Sequence, residues 1–310
     1  MQILVTGGAG FIGSNFVHYL LTERNDIQIT TLDKLTYAGS RSNLSGVLDD
    51  PRHTFINGDI CDRDLVTDLV ADADIVVNFA AESHVDRSIE GAYPFVETNV
   101  MGTQTLLEAA TETEIQCFLQ ISTDEVYGEI LDGKFSENDN LRPRNPYSAT
   151  KASADLLAQS YAITHDLPIV ITRTCNNFGP RQHREKLIPK FIRRAAAGKS
   201  LPVYGDGLNV REWIYVEDNC RALDLVIRDG NIGEIYNIGS GYERTNIEVT
   251  QEIINNVNAG EDLVEFVDDR AGHDQRYALD TTKIENLGWE SKWSFEEGLE
   301  QTVDHYLINK

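Results

Sequence analysis

The chain has 310 residues, 41% of them hydrophobic, and 50 acidic against 27 basic side chains give a formal charge of −23. This apolar content supports a substantial core and excludes a disordered chain, while the acid excess excludes the basic footprint of nucleic-acid binding. No apolar run spans a membrane, no signal-peptide pattern precedes the first strand, and four scattered cysteines lack metal-ligand spacing, so a cytoplasmic protein with reduced thiols, no metal and no membrane partner is expected.

Ile3-Leu4-Val5 predicts a short buried strand over 2–6, followed by Gly7-Gly8-Ala9-Gly10-Phe11-Ile12-Gly13 and a helical pattern through Phe16, Val17, Leu20 and Leu21. Strand, glycine turn and helix is the setting in which such glycines read as a dinucleotide site. Gly7 permits the tight turn, Gly10 lets backbone approach a pyrophosphate, and Gly13 allows close helix–strand packing, with helix-terminal N–H groups holding the phosphates. A second strand over 28–32 ends in Asp33, twenty residues after Gly13. A carboxylate there accepts hydrogen bonds from an adenosine ribose and repels a 2′-phosphate, so NAD is expected rather than NADP. A third strand over 53–57 leads to Asp59, which reads equally as an adenine contact or a helix N-cap. The fourth, over 74–79, runs into Ala80-Ala81-Glu82-Ser83-His84-Val85-Asp86, whose small residues let a nicotinamide lie close to backbone.

Pro94 opens a helix carrying Val96, Val100, Thr103, Leu106 and Leu107, which delivers the chain to an apolar strand, Cys117 to Ile121. That strand ends in Ser122-Thr123-Asp124-Glu125, placing hydroxyls and two adjacent acids where open α/β sheets carry chemistry. Beyond a polar loop, Tyr147 and Lys151 lie four apart behind Pro146, on one face at a helix entry. Alone, Tyr-x-x-x-Lys reads as surface helix; the acids upstream make it a candidate base, because an ammonium beside a phenol favours the phenolate. After an apolar strand over 168–172, Arg173 to Pro180 breaks the alternation, as if the chain leaves the sheet. A basic helix opened by Lys186-Leu187-Ile188-Pro189, a turn over 202–207, a strand over 211–216, a helix over 217–228, a strand over 234–239 and helices over 247–257 and 295–307 follow. The expected fold is α/β, a Rossmann-type doubly wound parallel sheet with a smaller, interleaved C-terminal substrate lobe. Residues 1–174 plus about 212–240 are assigned to the first unit, and about 175–211 and 241–310 to the second.

The combined signature resembles the extended short-chain dehydrogenase/reductase family, and within it the dTDP-glucose 4,6-dehydratases, over nearly the whole chain. The broad marks are Gly7-x-x-Gly10-x-x-Gly13 and Tyr147-x-x-x-Lys151. The sharper ones are Thr123-Asp124-Glu125, Ala80 to Ser88, Asn176-Asn177-Phe178-Gly179-Pro180, Lys186 to Pro189 and Arg270-Ala271-Gly272-His273-Asp274. The resemblance implies oxidation at C4 of a nucleotide-linked glucose by NAD, elimination across C5 and C6, and hydride return to C6. Tyr147, Lys151 and Thr123 would serve the first step, and Glu125 as base with protonated Asp124 as acid the second. By the same resemblance Phe11, Ile12, Asp33, Lys34, Leu35, Thr36, Asp59, Ile60, Phe79, Ala80, Ala81, Glu82, Ser83, Thr98 and Asn177 would contact NAD, with Gly7, Gly10, Gly13, Tyr147 and Lys151. Ser83, Thr123, Asn176, Lys186, Leu187, Pro202, Val203, Tyr204, Arg211, Asn246, Arg270 and His273 would meet dTDP-glucose. A homodimer through a four-helix contact is also implied, its helices near 94–110 and 147–161 carrying apolar residues on more than one face (Leu106, Leu107, Leu156, Leu157, Tyr161). The alternatives are another nucleotide-sugar 4,6-dehydratase, a 4-epimerase or decarboxylase, against which the acid pair argues, and a catalytically silent NAD-binding regulator, against which the intact Thr123, Tyr147 and Lys151 argue.

Self-repulsion among 50 acids destabilises a compact chain until salt screens it, a charge balance used by halophilic proteins. The melting temperature should therefore rise from low to molar salt; a flat or falling curve in a thermal scan would remove this reading.

Overall fold

Twelve strands are present among the residues that the computed structural model describes, 1–269 and 272–308. They are β1 (Gln2–Thr6), β2 (Gln28–Asp33), β3 (His53–Asn57), β4 (Ile75–Asn78), β5 (Cys117–Thr123), β6 (Ile169–Thr174), β7 (Asn176–Phe178), β8 (Leu201–Tyr204), β9 (Val210–Tyr215), β10 (Ile235–Ile238), β11 (Glu243–Thr245) and β12 (Val264–Val267). Seven of them form one parallel sheet in the order β3-β2-β1-β4-β5-β6-β10. The order reverses between β1 and β4, which opens a crevice at their carboxyl ends.

Helices cover both faces. On one, Phe16, Val17 and Leu20 of Phe11–Glu23 pack with Leu223 and Val226 of Val216–Asp229. On the other, Val66, Val70, Leu106, Leu107 and Ala158 pack over Leu4, Phe118 and Ile169. Each large apolar side chain so enclosed contributes about 1.5–3 kcal/mol. Central strands buried on both faces read as continuous apolar runs, which is why these were visible in the sequence.

The second lobe has its own aromatic core of Phe178, Phe191, Trp213, Tyr215 and Phe295. Its sheet is β11-β9-β7, so β9 pairs with β7 and β11 rather than with the large sheet, to which the chain returns at β10. Asp218, fully buried at the start of helix Val216–Asp229, accepts hydrogen bonds from the backbone N–H groups of Lys292 and Trp293 and from the Ser291 hydroxyl. The C-terminal segment is thereby tied to a helix that packs on the large sheet.

Two local expectations need correction. Pro202-Val203-Tyr204 belongs to a strand, not a turn: Leu201 and Val203 point inward and the strand pairs in parallel with β12, some sixty residues on by sequence, a partner local patterning does not announce. The helix from Pro94 is not regular, because Val96–Gly102 winds as a π-helix between Tyr93–Phe95 and Thr103–Thr111. Its apolar faces also divide differently: Leu106 and Leu107 are core, whereas Tyr93, Val96 and Met101, together with Leu156 and Ile163 of Pro146–His165, are exposed. No helix among the described residues is long and apolar enough to cross a membrane.

Candidate active site

Gly7 ends β1 with a left-handed φ of 66°, and a Cβ there would lie 2.6 Å from the Ala80 backbone nitrogen. A Cβ on Gly13 would lie 2.5 Å from the Gly7 carbonyl oxygen. Any larger residue would push the turn off the sheet. At the end of β2 the Asp33 carboxylate accepts from the Ala9 and Leu35 backbone N–H groups, at 2.9 and 2.8 Å, bracing the glycine turn. Burial raises its pKa against those hydrogen bonds. Asp59 pairs with Lys34 at 2.5 Å and accepts from Cys61 N–H.

The crevice running from Asp33 and Asp59 to Tyr147 and Lys151 encloses about 290 Å³. Leu35 alone of the residues expected at the cofactor does not line it. Its donors and acceptors suit a dinucleotide: a glycine turn open to backbone approach at one end, the Asp33 carboxylate beyond it, and a tyrosine–lysine pair at the other. Asn177 Oδ1, buried on its wall, has no hydrogen-bond partner among the described residues.

At the end of β5, Thr123 Oγ1 donates to Asp124 Oδ1 at 3.1 Å and accepts from Glu125 N–H at 3.3 Å. Asp124 is 2% exposed, and its Oδ2 has no hydrogen-bond partner among the described residues. Burial, then the neighbouring carboxyls of Glu125 and Glu212, raise its pKa well above the ordinary aspartate value. Glu212 on β9 is itself buried, accepting from Gly241 and Leu279 N–H, and its pKa is also raised by burial.

Helix Pro146–His165 carries Tyr147 and Lys151 to the same place. Asn145 caps it in a reciprocal capping box with Ser148, and the Asn145 amide also donates to Glu125 Oε2 at 3.3 Å. One residue thus starts the helix and orients the acid. The π-helical turn adds Asn99, whose amide donates to Glu82 O and Thr150 Oγ1 and whose Oδ1 accepts from Glu82 N–H, pinning the loop after β4 to this helix. Asn99, Asn145 and Glu212 were not legible in sequence. A Ser, Thr, Asn or Asp before Pro at a helix entry is the one signal that pointed to Asn145.

The surroundings of Tyr147 work against ionisation in the protein alone, so the phenolate expected there depends on added positive charge. Burial, with the Glu125 and Asp124 carboxylates beside it, pushes the phenol well above its ordinary value. Burial lowers Lys151 to about 8, against an upward pull from Asp155, and Nζ donates to the Ile121 carbonyl at 2.6 Å.

A second cavity, of about 580 Å³, adjoins the first and is of small-molecule size. Asn176, Lys186, Leu187, Pro202, Val203, Tyr204, Arg211, Asn246 and His273 line it, while Ser83 and Thr123 line the first. Arg270 lies outside the described residues. Arg211, 5% exposed, stacks 4.4 Å over the Tyr277 ring and donates to the Asp274 and Val210 carbonyls, so no carboxylate ion pair among the described residues neutralises it. Glu125, Asn176, Asn177 and Lys186 line both cavities.

A doubly wound sheet with this crevice and a Tyr-Lys pair defines the nucleotide-sugar branch of the short-chain dehydrogenase class. The chain belongs to the family whose profile, described as GDP-mannose 4,6 dehydratase, matches residues 4–302. It is 72% identical over 307 residues to "Low-salt glycan biosynthesis protein Agl12" of Haloferax volcanii, covering 99% of each chain. It is 51% identical over 315 residues to the dTDP-glucose 4,6-dehydratase of Streptomyces niveus, covering 100% of this chain and 94% of that one. The solved structure of DesIV, a dTDP-glucose 4,6-dehydratase of Streptomyces venezuelae with NAD bound, is 50% identical and superposes with a TM-score of 0.98 over 100% of this chain and 98% of that one.

A carboxyl whose pKa is raised by folding holds its proton in the native state after the unfolded chain has released it. The destabilisation from Asp124 is therefore absent below about pH 4 and grows as pH rises through its native pKa. Asp124→Asn should raise the melting temperature, increasingly so from acid to neutral pH; a gain independent of pH would contradict the shift.

Proposed function

We propose that this protein dehydrates dTDP-glucose to dTDP-4-keto-6-deoxyglucose with NAD retained through the cycle. The observation that carries the reading is Glu125 on the wall common to both cavities, adjacent to a buried, proton-retaining Asp124. Bound NAD supplies a hydride acceptor for C4 that later returns the hydride to C6, and a positive charge that offsets the carboxylates beside Tyr147.

The chain's own residues do the rest. Tyr147 takes the proton of the 4-hydroxyl, with Thr123 hydrogen-bonding the same oxygen and Lys151 supplying positive charge. The 4-ketone acidifies the C5 hydrogen, which Glu125 removes. Asp124 donates its proton to the 6-hydroxyl, which leaves as water. Two neighbouring carboxyls suit this because like charges resist double ionisation, keeping one proton available near neutral pH. Arg211, dry and without a carboxylate ion pair among the described residues, suits the substrate diphosphate, and Arg270 is assigned to the same group from the family resemblance. Asp33 is assigned to the adenosine ribose. The substrate lobe is assigned about 175–211 and 241–310, and the cofactor unit 1–174 plus about 212–240, with most of β9 falling in the latter segment while pairing with the lobe strands β7 and β11. The acid excess fits work in concentrated salt within the cytoplasm.

Incubation with dTDP-glucose should yield the alkaline absorbance of a 4-keto-6-deoxy sugar. Asp124→Asn should lower turnover by about 10²–10⁴-fold, as loss of a general acid does. The same variant should still exchange the C5 hydrogen of substrate with solvent deuterium, read by mass spectrometry. Glu125→Gln should lose that exchange, and so should Tyr147→Phe, because oxidation precedes it. Exchange that survives in Tyr147→Phe would overturn the roles given to both clusters.

The exposed Tyr93, Val96, Met101, Leu156 and Ile163 sit on two helices that contact each other. We infer that a second copy of the chain covers them in an isologous four-helix contact. Sedimentation in high salt should show a dimer, and Leu156→Glu with Ile163→Glu should shift it to monomer. A wild-type monomer at micromolar concentration would refute the contact.

A further inference from the structure

Asp155 and Arg173 form an ion pair for which the proposed reaction has no use. They are 0% and 2% exposed, and Arg173 Nε donates to Asp155 Oδ2 at 2.9 Å. The guanidinium lies 4.7 Å from the centre of the Tyr127 ring, whose hydroxyl donates to Asn237 Oδ1 at 2.8 Å. Arg173 is therefore seated from two sides, on β6, in register with Ser122 of β5. A buried pair of this kind adds little stability over apolar residues of the same volume, because desolvation offsets the attraction. Its placement beneath the site points to another use. Asp155 follows Lys151 by one helical turn on the same face of Pro146–His165, and Lys151 is 5% exposed, with Nζ on the Ile121 carbonyl one residue before Ser122.

We propose that Asp155, fixed by Arg173, is a positioning residue that keeps the Lys151 side chain charged and seated at the end of β5. This rests on the role given to Lys151 above. An ammonium enclosed in a dry site releases its proton unless an anion stands near it. The charged and titratable groups around Lys151 are few. Its own helix supplies Asp155 and Tyr147, β6 supplies Arg173 behind Asp155, and the turn after β5 supplies Asp124 and Glu125, which act on Tyr147. The π-helical turn packed on this helix presents Thr98 and Asn99, neither of which titrates. Among these groups Asp155 is the anion that acts on Lys151, and Arg173 is the first of the groups that oppose the upward push of burial on the Asp155 carboxyl.

The test reads Lys151 directly. The chain has nine lysines, so ε-¹³C-lysine labelling gives a short list of resonances, with Lys151→Arg assigning the one of interest. In the wild type that resonance should titrate near 8. In Asp155→Asn, which keeps the shape and an acceptor for Arg173, the midpoint should fall by about one unit or more. Asp155→Glu should restore it. Where Asp155→Asn does not fold, Arg173→Gln decides: Asp155 then loses the cation that offsets its burial and is pushed further towards its neutral form, and the Lys151 midpoint should again fall. The alkaline limb of turnover should follow the same shift, whereas a merely structural role would lower turnover equally at every pH. A Lys151 midpoint unmoved in the variant that folds overturns the proposal. A shifted midpoint in a protein that never turns over dTDP-glucose would uphold it and sink the functional reading instead.

Discussion

Everything in the site follows from the enclosure of one carboxyl, Asp124, at the end of β5 beside Glu125 and within reach of Glu212. Its burial and the carboxyls of Glu125 and Glu212 beside it press Asp124 towards its protonated form. A retained proton there is what the proposed elimination would draw on. It also sets the electrostatic problem for Tyr147, whose phenol faces the same carboxyls and is pushed away from ionisation. Positive charge has to be brought in, and the fold supplies it from below through Lys151, backed by Asp155 and Arg173.

The two lobes are coupled because the chain crosses between them repeatedly. β7 leaves the large sheet, β9 pairs with it, and β10 returns to the edge beside β6. Glu212 is thus a lobe residue placed against a sheet residue, Asp124, and Asp218 at the next helix holds the C-terminal segment. The two cavities share Glu125 and Lys186 on their common wall.

The elements with strong local signals were legible in the chain itself. β1 and β4 to β6 carry apolar runs, and the glycine turn, Asp33 and the acid pair stand at the ends of β1, β2 and β5, with Tyr147-x-x-x-Lys151 on the helix that follows, in the expected order. Side chains at strand ends and i, i+4 pairs on a helix have their positions dictated by backbone geometry alone. Most of the cofactor-side and substrate-side residues, by contrast, were expected only from the resemblance to the family, which backbone geometry does not supply.

What tertiary structure alone decided are the contacts between residues far apart in sequence. The pairing of β8 with β12, the Glu212 carboxyl facing Asp124, and Arg173 meeting Asp155 depend on where separate segments land, and no local period encodes that. Asn145 and Asn99 act through side-chain hydrogen bonds whose partners, Glu125 and Glu82, are 20 and 17 residues away. Protonation states belong to the same group. A sequence shows a lysine beside a tyrosine and suggests a phenolate; burial and the summed charge of the neighbours determine whether the phenol gives up its proton, and both are properties of the packed chain.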